Sequence, residues 1–139
     1  MTGPTESLSL EFDLAHAPAK VWRALTDPEL LAEWLLPSIG LKLEPGAAFT
    51  FSTQPYPGWD GTVHCEFLAI EEHRKLSYTW RAIGLDTVVT FTLTPTASGT
   101  HLSLVQEGFR PAQKRESGGA RYGWTMMTGK LVDLLARLP

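Results

Sequence analysis

The chain has 139 residues, 43% of them hydrophobic and 19% charged, with a net charge of −3 and one cysteine. That length fits one domain of roughly 100–200 residues with its own core, and a lone Cys65 excludes an internal disulfide framework or a cysteine-rich zinc module. The mild acidity gives no electrostatic case for nucleic acid; no apolar run approaches the roughly 18–20 residues of a membrane span; and Met1 to Leu10 carries no secretory pattern, so a cytoplasmic location is expected.

Residues 1–6 read as a flexible tail and 7–139 as a single domain. Leu8, Leu10, Phe12 and Leu14 alternate with Ser9, Glu11 and Asp13, the period of a half-buried strand. Pro18 suits the first turn of a short helix carrying Val21, Trp22 and Leu25. Asp27-Pro28 breaks it and opens a second short helix with Leu30, Leu31 and Trp34 on its apolar stripe, ended by Pro37 and Gly40. The pair has a helix-turn-helix outline, but its second helix offers no basic face to DNA.

The middle of the chain reads as strand. Leu41 to Leu43 is expected to be a short one, stopped by Pro45-Gly46. Phe49 and Phe51 alternate in the next, and a Pro/Gly loop over Pro55 to Gly61 carries Tyr56 and Trp59, placed to form a lid, a protein contact or a plug. Val63, Cys65, Phe67 and Ala69 alternate before a polar turn at Glu71 to Arg74. Leu76, Tyr78 and Trp80 follow, then Val89, Phe91 and Leu93, a turn at Pro95 to Gly99, and Leu102, Leu104 and Gln106. Consecutive strands joined by short turns imply an antiparallel meander. Gly118-Gly119 reads as a flexible joint. A last helix from about Ala120 gathers Trp124, Met127, Leu131, Leu134, Leu135 and Leu138 on one stripe. Strands segregated from helices indicate an α+β class. The expected architecture is a curved antiparallel sheet of about six to seven strands wrapped around a long C-terminal helix, with two short helices after the first strand.

Four local patterns occur in a fixed order. They are Ala17 to Glu29 leading to Trp34; Pro45-Gly46 before Phe49 and Phe51; Lys75 to Trp80; and Gln106-Glu107-Gly108-Phe109 followed by Gly123-Trp124. Together they resemble the helix-grip, START-like (SRPBCC) superfamily, the birch-pollen-allergen fold. Within it the chain is most similar to the group named for the activator of heat-shock-protein ATPase. The resemblance implies non-covalent binding of a small hydrophobic or amphipathic ligand, a chaperone-associated interaction role, or a cyclase- or dehydratase-type enzyme. It implies no cofactor. Relatives often carry a histidine where this chain has Gln106, which hydrogen-bonds but cannot exchange a proton near neutral pH.

Strand parity puts Phe49, Phe51, Val63, Cys65, Phe67, Tyr78, Trp80, Val89, Phe91 and Gln106 on one inner wall. The last helix adds Trp124, Met127 and Leu131, and Trp34 closes one end. Apolar walls with a few polar groups are the makeup of a small-molecule site of roughly 300–1,000 Å³, and the same stripes also suit a filled core. Cys65, between Val63 and Phe67 on its own face, is expected to be an inert thiol. His16, His64, His73 and His101 show no metal-ligand spacing, and parity turns Glu66 and Glu107 outward. Arg110, Lys114, Arg115 and Arg121 form a basic segment, read as solvated or as a seat for an acidic partner or an anionic ligand head. No catalytic constellation stands out, and a monomer or weak homodimer is expected.

Overall fold

Asp27 ends one helix and begins the next. Helix α1 (Pro18–Thr26) and helix α2 (Pro28–Trp34) share it as a cap. A residue before proline is pushed out of the helical region, and Asp27 accordingly has φ −83° and ψ 119°. Its N–H bonds back to the Arg23 carbonyl, while its carboxylate accepts from the Glu29 N–H at 2.9 Å. Two orphan helix ends are thereby satisfied by one residue.

The structure, a computed structural model, describes residues 6–55 and 57–139; the expected tail, apart from Glu6, and Tyr56 lie outside the described residues. Strand β1 (Glu6–Leu14) precedes the two helices. Strands β2 (Ser38–Ile39), β3 (Ala48–Ser52), β4 (Thr62–Glu71), β5 (Lys75–Ala82), β6 (Leu85–Thr96) and β7 (Gly99–Phe109) follow, then a short 3₁₀ turn at Pro111–Gln113 and helix α3 (Lys114–Arg137). The seven strands form one antiparallel sheet in the order β1-β7-β6-β5-β4-β3-β2. It is the expected α+β helix-grip architecture: the first strand returns beside the last, and α3 buries Trp124, Leu131, Leu134 and Leu135. Trp34 ties α2 to α1 through its Nε1–H, which donates to the Ala24 carbonyl at 2.8 Å.

Two expectations are corrected. Leu41–Leu43 is not a strand; the edge pairing is made earlier, Ser38 with Phe51 and Ile39 with Thr50. A three-residue alternation is too short to outweigh the turn that follows, in which the Glu44 N–H returns to the Lys42 carbonyl. The second correction is larger. Helix α3 begins at Lys114 and runs straight through Gly118 and Gly119. Its start is anchored by Gln113, whose Oε1 accepts from the Arg110 N–H at 2.9 Å and whose Nε2 donates to the Gly84 carbonyl at 3.1 Å. Tertiary anchorage thus overrides the local propensity of two glycines.

On the outer face, β1 and β7 are joined by His101. Its Nδ1 lies 2.8 Å from Asp13 Oδ1 and its Nε2 lies 3.1 Å from Glu11 Oε1. Only the protonated ring can donate to both carboxylates, so the bond to Asp13, reinforced by the one to Glu11, holds the imidazole above its usual pKa. A raised folded-state pKa gives stability that is fully present below about 6.5, while both carboxylates are ionised, and that fades as pH rises through the raised value. The gap in melting temperature between the native protein and His101→Gln should therefore shrink from pH 6 to pH 8.5, and an NMR titration of the His101 ring should give a midpoint above 6.5. A gap that widens with pH would refute this assignment.

Candidate functional site

The interior is filled at one end and open at the other. At the filled end the inner faces of β3, β4 and β5 present aromatic rings in mutual contact. Phe49 lies 4.7 Å from Phe67, 5.3 Å from Phe51 and 5.5 Å from Tyr78, centroid to centroid. Trp34 meets Phe91 edge-on at 6.4 Å. Burial pushes the Cys65 thiol up to about 12; it raises the Tyr78 hydroxyl too, with Cys65 adding to the effect. Neither group is poised for proton transfer near neutral pH.

At the other end, a pocket of about 360 Å³ opens between the first half of α3 and the far ends of β4, β5 and β6. The helix side is small: Gly119, Ala120 and Gly123, with Trp124 and Met127 behind them. A Cβ added at Gly119 or Gly123 would meet nothing within 4 Å. The sheet side supplies Val63, Trp80, Ala82 and Leu85, and Ile83 sits at the tip of the β5–β6 hairpin. The Trp80 and Trp124 rings lie 5.3 Å apart at 56°, forming an angled wall. Leu36, Thr53, Trp59 and Glu116 complete the lining.

The polar floor is a relay of hydrogen bonds. Trp124 Nε1–H donates to Gln106 Oε1 at 2.8 Å, Gln106 Nε2 donates to Thr87 Oγ1 at 2.9 Å, and Thr87 Oγ1 donates to the Trp80 carbonyl at 2.8 Å. Gln106 is 1% exposed and still carries a second amide N–H that none of these bonds uses.

Trp59 reaches the mouth because its loop is pinned. Gly61 has φ +83°, and a Cβ there would collide with the Thr53 carbonyl oxygen. That close approach allows the Thr53 N–H to donate to the Gly61 carbonyl at 2.8 Å. Trp59 Nε1–H then donates to the Thr62 carbonyl at 3.0 Å, which fixes the ring half-buried beside the opening.

Of the residues singled out from sequence, the pocket brings together Val63, Trp80, Gln106, Trp124 and Met127. Trp34, Phe49, Phe51, Cys65, Phe67, Tyr78, Val89, Phe91 and Leu131 are buried in the packed core instead. Glu66 and Glu107 are exposed, as parity requires. The histidines are dispersed: His16 accepts from Lys20 Nζ at 3.1 Å, His73 packs edge-on against Trp22, and His64 is exposed. Among the described residues no three His, Cys, Asp or Glu side chains are grouped to hold a metal ion. Sequence reasoning missed Glu116, Gly119, Ala120 and Gly123. Their spacing continues the Trp124–Met127 stripe backwards and would have exposed them, had the helix been extended through the glycines.

A seven-stranded antiparallel sheet gripping a long C-terminal helix, with a pocket under one end of that helix, defines a helix-grip protein of the START-like kind. Residues 15–136 match the family described as "Activator of Hsp90 ATPase homolog 1-like protein", and the chain belongs to that family. Among solved structures it is similar to protein MLL2253 of Mesorhizobium loti, at 44% identity and a TM-score of 0.88 over 96% of this chain and 99% of that one. Protein NE0264 of Nitrosomonas europaea is 27% identical, with a TM-score of 0.79 over 94% of each chain. DynU16, a protein of the dynemicin biosynthetic locus, shares the fold at 23% identity and a TM-score of 0.80, over 96% of this chain and 48% of that one. Comparison with curated proteins gives no match. No described helix is long and apolar enough to cross a membrane.

Proposed function

We propose that this protein binds a small hydrophobic or amphipathic molecule, without covalent chemistry, in the pocket beneath the first half of α3. The observation that carries the reading is the pair Gly119 and Gly123, which face open space across from Trp80 and Trp124. Each glycine inside a helix costs about 1 kcal/mol relative to alanine. Alanine at either position would add helix stability and narrow the pocket, so the two glycines keep the helix side of the space open at a cost in stability. The volume of about 360 Å³ lies within the range of small-molecule sites. Apolar walls and one spare amide N–H suit holding a ligand more than transforming it. The place of DynU16 in a biosynthetic locus is in keeping with a small-molecule partner. A chaperone partner is the other reading that the family description suggests.

The direct test is native mass spectrometry of freshly purified protein with organic extraction of any bound species, followed by a panel of lipids and aromatic compounds. A ligand at 100 times its Kd should stabilise the fold by about 2.7 kcal/mol and shift tryptophan emission, since Trp80 and Trp124 flank the space. Protein that arrives empty, with melting and emission unmoved by the whole panel, would overturn the reading.

A further inference from the structure

Among the described residues the pocket lining holds one charged side chain, Glu116, and no cation. Glu116 is exposed in the first turn of α3 and makes no ion pair among the described residues. The basic segment that the sequence brings close does not reach inside. Arg121 turns away to β1, where Nη1 donates to the Ser9 carbonyl at 3.2 Å, and Arg110, Lys114 and Arg115 lie outside the lining. The remaining walls include three indoles, Trp59, Trp80 and Trp124. Indole is the aromatic face most attractive to a cation. A carboxylate at the mouth would lie beside a like charge with no counter-ion among the described lining residues, which is unfavourable by the modest amount typical of exposed charges.

Resting on the pocket reading above, we propose that the site selects a flat aromatic molecule whose exposed end is positively charged or neutral, an aromatic amine over an aromatic carboxylate, with Glu116 as the selecting residue. The pocket volume of about 360 Å³ is near the lower end of small-molecule sites and suits one or two fused rings on a short arm rather than a long acyl chain. The angled Trp80–Trp124 wall receives the ring, Gln106 meets a polar atom on it, and the arm leads out past Glu116. Lys114 and Arg115 precede Glu116 in the helix and temper the preference. Both lie outside the pocket lining, whereas Glu116 is part of it, and water and salt screen charge over the longer separation.

Isothermal titration calorimetry at low salt with naphthylethylamine, naphthylethanol and naphthylacetate separates the two claims. The amine should bind about tenfold more tightly than the acetate, the size expected of one exposed ion pair added to one cation–π contact. Glu116→Gln should compress that ratio to within about threefold, and so should raised salt in the native protein. Equal affinities for all three probes, or a ratio that Glu116→Gln leaves intact, would overturn the selection while leaving the pocket as a binding site. Failure of all three probes to bind would overturn the selection, and the pocket reading falls with it when the wider panel also leaves melting and emission unmoved.

Discussion

Replacing Gly123 with phenylalanine is expected to abolish binding of a probe such as naphthylethanol while raising the melting temperature. The two effects share one cause. Gly123 lies on the pocket face of α3 with no heavy atom within 4 Å of where its Cβ would stand. A phenyl group there has about 360 Å³ to enter, so it fills space rather than forcing neighbours apart. It would pack against Trp80 and Trp124 and remove a helical glycine, worth about 0.5 kcal/mol by propensity alone because phenylalanine is a poorer helix former than alanine. For a chain of 139 residues, each kcal/mol moves the melting temperature by roughly 3–4 °C.

The alanine pair Gly119→Ala and Gly123→Ala isolates the helix contribution. It should add about 2 kcal/mol, or roughly 6–8 °C, while narrowing the pocket only slightly. Differential scanning calorimetry and probe titration on the same samples read both quantities. Retained binding in Gly123→Phe would place the ligand elsewhere. A lowered melting temperature would mean that the helix face is packed, not open. A stabilising substitution that removes function is the signature of a site maintained against stability.

The strands were legible because one buried face imposes a period of two. Phe49, Phe51, Val63, Cys65 and Phe67 were placed inward by alternation, and all five are buried. The α1–α2 break was legible because Asp27-Pro28 acts within three residues. What alternation cannot report is depth. Phe51 on β3 and Trp80 on β5 flank β4 on the same face of the sheet, with rings 5.7 Å apart, yet Phe51 is sealed in the core and Trp80 borders the pocket. The difference depends on where α3 lies along the sheet. That is set by Gln113 reaching the Gly84 carbonyl, twenty-nine residues away. Glycines 118 and 119 read as a joint because propensity is local, whereas the helix through them is held by long-range contacts. With the helix start misplaced, Glu116 and the small pocket face stayed hidden.

At the floor of the pocket, Gln106→Leu should destabilise the protein by about 2–3 kcal/mol. The side chain is buried at 1% exposure and joins helix to sheet: it accepts from the Trp124 indole and donates to Thr87. Leucine keeps most of the volume but strands the Trp124 N–H, and the cost of an unpaired buried donor outweighs the added apolar contact. Thr87 loses less, because its hydroxyl still donates to the Trp80 carbonyl at 2.8 Å. Trp124→Phe removes the stranded donor, so the double variant Gln106→Leu/Trp124→Phe should lose less than the sum of the two single losses, with a coupling of about 1–2 kcal/mol in urea melts. Gln106→Glu sharpens the case. A carboxyl group buried here would be held above its usual pKa by desolvation, so this variant should be most stable at low pH and lose stability as pH rises through that raised value. Strict additivity in the double variant would show that the Trp124–Gln106 bond contributes nothing. A Gln106→Glu variant whose stability relative to the native protein does not change with pH would place that side chain in water rather than at the base of the pocket.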